Sequence, residues 1–291
     1  MIQWFPGHMA RARRQIESQL GRVDLVWEIA DARLPQASRN PLLDELCQHK
    51  PRLVIINKTN LADPVVTQQW LKYFPQRVVT MDVQSGKGVT SAVETSRRWV
   101  RSLRQSTRWG SLQRGIRAMV VGIPNVGKSS LINRLARRSS SATGKLPGVT
   151  RAQQWIRVHD ELLLLDTPGL LWPSFSKPSL GKVLAATGTI RDALFPPEGV
   201  AVFLLRCLYR TYPQVVRDRY GGKFSDLPRH AWLSHIGRQR GCLRAGGVVD
   251  TERAAAAVLS DFRYGKLGRV TLQRPPSMLQ GGETFPPSYH P

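Results

Sequence analysis

Gly122-Ile-Pro-Asn-Val-Gly-Lys-Ser129 has the residue types of a loop that wraps phosphate. Glycine at 122 and 127 lets the backbone curl until successive N–H groups face one point, and the helix that follows adds its positive end. Lys128 supplies a charge for β- and γ-phosphate oxygens, and Ser129 supplies a hydroxyl for Mg²⁺. Asn125, Val126, Gly127, Lys128, Ser129 and Ser130 are therefore the phosphate-contacting candidates. Asp166-Thr-Pro-Gly169 adds a carboxylate for the metal's water shell and a Gly169 N–H for a γ-phosphate, while Thr150 is expected to complete the metal's coordination. Asn57-Lys-Thr-Asn60 and Asp82-Val-Gln-Ser-Gly86 have the chemistry of a base-handling side. There Asn57, Lys58, Thr59 and Asn60 would flank a purine, and N–H groups at Asp82 and Val83 would read its carbonyl oxygen.

Each of these stretches follows an apolar run of strand type. Strands are expected at 25–30, 53–56, 77–81 and 116–121, with a hairpin-like pair at 154–158 and 161–165. Continuous β-branched runs such as Leu53-Val-Ile-Ile56 signal strands covered on both faces, hence a mostly parallel sheet. Helical patterns fall at 41–49, 64–73, 89–103 and just after Lys128, and in an open sheet of this kind all four stretches sit at the edge where ligands bind. Residues 139–151, rich in Ser, Gly and Thr, are expected to form a mobile loop. From about residue 180 apolar positions recur at helical intervals, as in Val200, Phe203, Leu204 and Leu208, so a second, helical domain is expected. The last stretch carries Pro275, Pro276, Pro286 and Pro287, the composition of a disordered tail.

The formal net charge of +23 is large enough to imply a polyanionic partner, with RNA or DNA first and general solubility as the bland alternative. It is not confined to one arm: residues 1–179 hold 27 Lys and Arg against 12 Asp and Glu, and residues 180–291 hold 16 against 8. Arg11, Arg13 and Arg14 fit a solvated helix face equally well. Three widely separated cysteines make neither a disulfide framework nor a zinc ribbon. Apolar runs fall far short of the roughly 20 residues that a membrane helix needs, so a cytoplasmic protein with no membrane partner is expected.

The motif order decides the family resemblance. Asn-Lys-x-Asp-like and base-reading motifs precede the phosphate loop, the threonine loop and Asp-x-x-Gly, the arrangement of circularly permuted GTPases. Trp4-Phe-Pro-Gly-His-Met-Ala10, Asp31-Ala-Arg33 and Ser38-Arg-Asn-Pro41 further resemble the YlqF/RbgA family of ribosome-assembly GTPases. The resemblance implies an α/β fold: a circularly permuted P-loop GTPase domain with a mostly parallel sheet and helices on both faces, plus a smaller all-helical C-terminal domain. The expected divisions are an N-terminal segment at 1–22, the GTPase domain at 23–178, an rRNA-binding helical domain at 179–267 and a disordered tail at 268–291. It also implies a monomer that binds GTP and GDP, hydrolyses GTP with Mg²⁺, and acts on large-subunit precursors and their rRNA late in assembly. The alternative is an RNA-binding module gated by nucleotide, with hydrolysis incidental. An ATP-dependent kinase or helicase is disfavoured by the Asn57-Lys58 pair.

Two positions shape the chemistry within that resemblance. Asn60 stands where the family has Asp, and an amide offers one acceptor where a carboxylate offers two, so weaker guanine selectivity is expected, with Asp63 as a nearby carboxylate that could compensate. Leu170 follows Asp-x-x-Gly where many GTPases place the glutamine that orients attacking water. The resemblance assigns that task to His8. Asn125 suggests a K⁺ ion bridging the phosphates.

Overall fold

A computed structural model describes residues 6–105, 115–143, 155–159, 161–171, 178–221, 224 and 227–276. Six strands, β1 (Leu25–Asp31), β2 (Arg52–Asn57), β3 (Val78–Thr80), β4 (Ile116–Val121), β5 (Trp155–His159) and β6 (Leu162–Asp166), form one sheet in the order β3-β2-β1-β4-β6-β5. All neighbours run parallel except β5 and β6, which pair antiparallel as the hairpin pattern predicts. Starting at β1, the chain builds outward through β2 and β3, then returns to lay β4 against the other side of β1. Strand order therefore reverses between β1 and β4, and the crevice at such a reversal is where an open α/β sheet receives its ligand.

Helices α1 (Pro6–Leu20), α2 (Pro41–Leu46), α3 (Pro64–Tyr73), α4 (Val89–Gln105) and α5 (Lys128–Thr143) alternate with these strands. The central strand β1 is buried along its whole length, which its near-continuous apolar sequence permits. Its one indole is satisfied in the core, where Trp27 Nε1 donates to Ser96 Oγ of α4 at 2.8 Å. Helix α5 extends through the serines at 139–141 that were expected in a loop. Serine weakens a helix without breaking one, so α5 continues through them to Thr143.

Helices α6 (Pro178–Ala186), α7 (Pro197–Thr211), α8 (Pro213–Tyr220), α9 (Trp232–Gln239) and α10 (Thr251–Arg263) make up the expected helical part. The chain divides into two compact units, one of Phe5–Asn60 and Thr67–Pro173, the other containing Leu61–Val66 and Ser174–Pro291. The helical unit buries Phe203, Leu204, Leu208, Val258 and Phe262, which explains the helical spacing seen in the sequence. Its buried Asp261 is matched by Arg219, whose Nε and Nη2 donate to the two carboxylate oxygens at 2.9 and 3.0 Å. Residues 268–276, expected in a disordered tail, include buried Val270, Thr271 and Gln273. Val270 N–H donates to Leu61 O at 3.0 Å, so backbone pairing in this same unit orders them despite the prolines. Among the described residues, no helix is long and apolar enough to cross a membrane.

Candidate nucleotide site

Four loops at the C-terminal ends of β2, β3, β4 and β6 carry the residues singled out in the sequence, all within the sheet-containing unit. Asn57, the last residue of β2 and 2% exposed, joins two of them. Its Nδ2 donates to Val126 O at 2.8 Å, and its Oδ1 accepts from Val83 N at 3.1 Å. One side chain thus clamps the phosphate loop to the 82–86 loop. Gly127 lies so close to it, at φ +107°, that a Cβ there would stand 2.3 Å from Asn57 Nδ2. Only glycine fits both the conformation and the space.

Lys58 adopts φ +63°, and its ammonium reaches 2.9 Å from Asp31 Oδ2 and donates to Asn125 O at 2.6 Å. Asp31, at the end of β1, also accepts from Arg33 Nε at 2.9 Å and Arg33 Nη2 at 2.7 Å, and both residues are almost fully buried. Burial opposes charge on Asp31, but Arg33 and Lys58 outweigh it and hold the carboxyl well below its ordinary range. Thr59 is half-buried, its hydroxyl donating to Met81 O at 3.1 Å.

On the phosphate side, Lys128 Nζ donates to Gly122 O at 3.0 Å and Ile123 O at 2.8 Å, so the loop carbonyls hold the ammonium in the cradle. Burial lowers its pKa to about 8, against the pull of Asp166. Ser129 and Ser130 open the first turn of α5 and are exposed, and Asn125 sits at φ +61°. Asp166 Oδ1 is buried without a hydrogen-bond partner, and burial raises the Asp166 pKa despite Lys128. A buried carboxylate oxygen left open near the Lys128 ammonium fits a hydrated divalent cation. Gly169 packs against the phosphate loop, where an added Cβ would lie 2.9 Å from Pro124 N.

Residues 117–195 match the family described as 50S ribosome-binding GTPase. The chain is 47% identical to the ribosome biogenesis GTPase A of Priestia megaterium over 94% of this chain and 97% of that one. The chain belongs to the ribosome biogenesis GTPase A family. It is also 36% identical to the mitochondrial ribosome-associated GTPase 1 of Bos taurus, over 97% of this chain and 90% of that one. A crystal structure of GNP-bound YlqF from T. maritima superposes with a TM-score of 0.64 at 27% identity, covering 91% of this chain and 99% of that one. As a member of the ribosome biogenesis GTPase A family, the protein is a GTP hydrolase of the α/β P-loop class, in agreement with the sequence expectation.

Several expectations for individual residues change against this frame. The N–H groups of Asp82 and Val83 are already bonded, to Lys87 O at 2.9 Å and to Asn57 Oδ1. The Gln84 N–H is spent on Asp82 Oδ1 at 3.0 Å. The next amide, that of Ser85, makes no hydrogen bond among the described residues. Arg134 of α5 braces this loop by donating to Gln84 O at 2.6 Å and Ser85 O at 2.8 Å, a role with no signal in the sequence. Asp63 is not available to stand in for the missing carboxylate at Asn60. Within the helical unit its Oδ1 accepts from Val65 N at 2.8 Å and its Oδ2 from the Tyr212 hydroxyl at 3.0 Å.

Leu170, in the place of a water-orienting glutamine, is fully buried. Its N–H donates to Gly122 O at 3.2 Å, and its carbonyl accepts from Asn40 Nδ2 at 2.8 Å. Asn40 Oδ1 meanwhile caps α2 by accepting from Leu42 N at 3.0 Å. The Ser38-Arg-Asn-Pro41 motif thereby clasps the stretch after Asp-x-x-Gly. His8 lies on α1, and Thr150 lies outside the described residues.

Proposed function

We propose that the protein hydrolyses GTP as a ribosome biogenesis factor in late assembly of the large, 50S-type subunit, working in the cytoplasm as a monomer on precursor particles and their rRNA. The observation that carries this reading is Asn57, whose two bonds draw the base-handling and phosphate-handling motifs around one crevice although they occur in permuted order along the chain. The family membership and the net charge of +23 support the ribosomal partner. In the helical unit, Lys182, Arg206 and His230 line a cavity of about 460 Å³ with an apolar wall of Phe203 and Leu233, a composition suited to RNA contact.

In this reading Asn125, Val126, Gly127, Lys128, Ser129, Ser130 and Gly169 bind the phosphates. Lys58, Thr59, Asn60 and the 82–85 loop bind the base, and Asn57 positions that loop against the phosphate loop. Ser129, Thr150 and Asp166, the last through water, would hold Mg²⁺, which would supply positive charge against the phosphates. Asn125 would hold a K⁺ ion, a source of positive charge where no arginine finger is supplied. Lys128 is poised to transfer from the carbonyls of Gly122 and Ile123 to phosphate oxygens when nucleotide enters. Because Leu170 has no polar group, water is oriented by another residue, and His8 takes that role. The chain then runs from the Leu170 switch directly into the helical unit, so a γ-phosphate-dependent change can alter the grip on RNA.

The same buried leucine favours a second reading, in which nucleotide gates RNA affinity and hydrolysis is incidental. Turnover measured with and without large subunits separates the two. Stimulation by the subunit, lost in His8→Ala and dependent on K⁺ over Na⁺, is the expected result. A slow rate that subunits leave unchanged, together with triphosphate-dependent co-sedimentation, would establish the second reading instead.

A further inference from the structure

Guanine offers the protein two adjacent donors, N1–H and the 2-amino group, and a single carboxylate accepts both. Asn60 offers one acceptor and one donor. It is exposed at the end of the Asn57-Lys-Thr-Asn60 stretch, and its Nδ2 donates to Gln84 Oε1 at 3.4 Å, leaving the carbonyl oxygen and a second N–H for a ligand. Among the described residues, the carboxylates of Asp82, Asp31 and Asp63 are already engaged elsewhere. Asp82 Oδ1 accepts from Gln84 N and its Oδ2 from the Ser85 hydroxyl. Asp31 is spent on Arg33 and Lys58, and Asp63 on Val65 and Tyr212.

We propose that Asn60 is a specificity-determining residue that relaxes the base preference of this site, so that xanthine and hypoxanthine nucleotides bind about as well as guanine nucleotides. The Asn60 carbonyl accepts the purine N1–H, and the amide N–H faces position 2. Xanthine places an acceptor there and completes the second bond. Hypoxanthine places only a C–H and leaves nothing in conflict. Guanine sets its amino group against another donor, the one arrangement of the three that desolvates both without pairing them. All three carry an oxygen at position 6 for the Ser85 N–H, whereas adenine presents an amino group there and is rejected. Gln84 orients the amide by accepting its other hydrogen.

This inference rests on the base-pocket reading given above. The test is competition of GDP, XDP, IDP and ADP against a fluorescent GDP analogue on the full chain, using diphosphates so that hydrolysis does not intervene. The expected result is XDP and IDP within about tenfold of GDP, with ADP weaker by about 100-fold or more. A preference for GDP over both by more than about tenfold overturns the proposal and leaves the GTPase reading intact. Binding of none of the four, or of ADP as tightly as GDP, overturns the base-pocket reading itself. Asn60→Asp supplies the converse: it is expected to shift the GDP-to-XDP ratio toward guanine by at least about tenfold, and an unshifted ratio overturns the proposal. Should that variant fail to fold, the ratios of the unaltered protein decide alone.

Discussion

Replacing Asn40 by serine or alanine separates two bonds made by one buried side chain. Asn40 Oδ1 caps α2, and Asn40 Nδ2 satisfies the carbonyl of Leu170 at 2.8 Å. Serine caps a helix about as well as asparagine but is too short to reach the carbonyl as well. Asn40→Ser therefore leaves a buried carbonyl unpaired at a cost of about 1–3 kcal/mol, felt at the stretch after Asp166. Because each 1.4 kcal/mol is about tenfold, local opening there should rise roughly 5- to 150-fold. Hydrogen exchange read peptide by peptide is the assay. In Asn40→Ser the peptide containing Leu170 should exchange faster by that factor, while residues 41–46 keep their protection. In Asn40→Ala the lost cap, about 1 kcal/mol, should add roughly fivefold faster exchange in 41–46. If the Leu170 peptide of Asn40→Ser stayed within about twofold of the unaltered protein, the clasp would not hold the switch and the reasoning would fail.

Gly127→Ala should weaken GDP binding by about 100-fold or more in isothermal titration, because a Cβ at φ +107° would strike Asn57 Nδ2 and open the clamp on Val126; binding within tenfold refutes this. Nucleotide affinity should depend on Lys128. Phosphate needs the ammonium, which in the free protein is lost above a pKa of about 8, so affinity should be full below pH 8 and fall by up to about tenfold per unit above it. The unliganded fold responds with the opposite sign, since the lowered pKa means that unfolding takes up a proton, so this group's contribution to stability rises from pH 8 toward its ordinary value near 10.5. A GDP affinity flat from pH 7 to 9.5 would exclude the assignment. Asp31→Ala should destabilise the sheet-containing unit by about 3–5 kcal/mol in urea unfolding, because the buried Arg33 and Lys58 lose the carboxylate that both face; a loss under 1 kcal/mol would show that the remaining contacts of the two cations carry their charge.

The sheet was legible because its strands are apolar on both faces and its loops carry residues with narrow tolerances, Gly127 above all. The permuted order of Asn57-Lys58 and Lys128 also led to the family, since four short motifs in an uncommon sequence rarely coincide. What escaped was the use of atoms that face inward. Asn57 and Val83 look like base contacts when read as motif members, but their polar groups bond to each other across the sheet edge. Nothing local marks Asn40 as a clasp on Leu170, 130 positions away, or Arg134 as the brace of the 82–86 loop. The prolines at 275 and 276 argued for disorder, yet Val270 and Thr271 are anchored by partners far upstream that composition cannot reveal.

The helical unit is not one uninterrupted length of chain. Leu61–Val66 is threaded into it, with Val270 N–H on Leu61 O, Arg269 Nε on Ala62 O at 3.0 Å, and Tyr212 on Asp63 across 149 positions. During synthesis that early strip emerges long before its partners, so the unit matures only once Tyr212 and the residues around 270 have been made. A gene fragment beginning at 174 would be born without the strip, leaving the Val270 N–H without the Leu61 carbonyl and the Tyr212 phenol with Thr271 O but not Asp63.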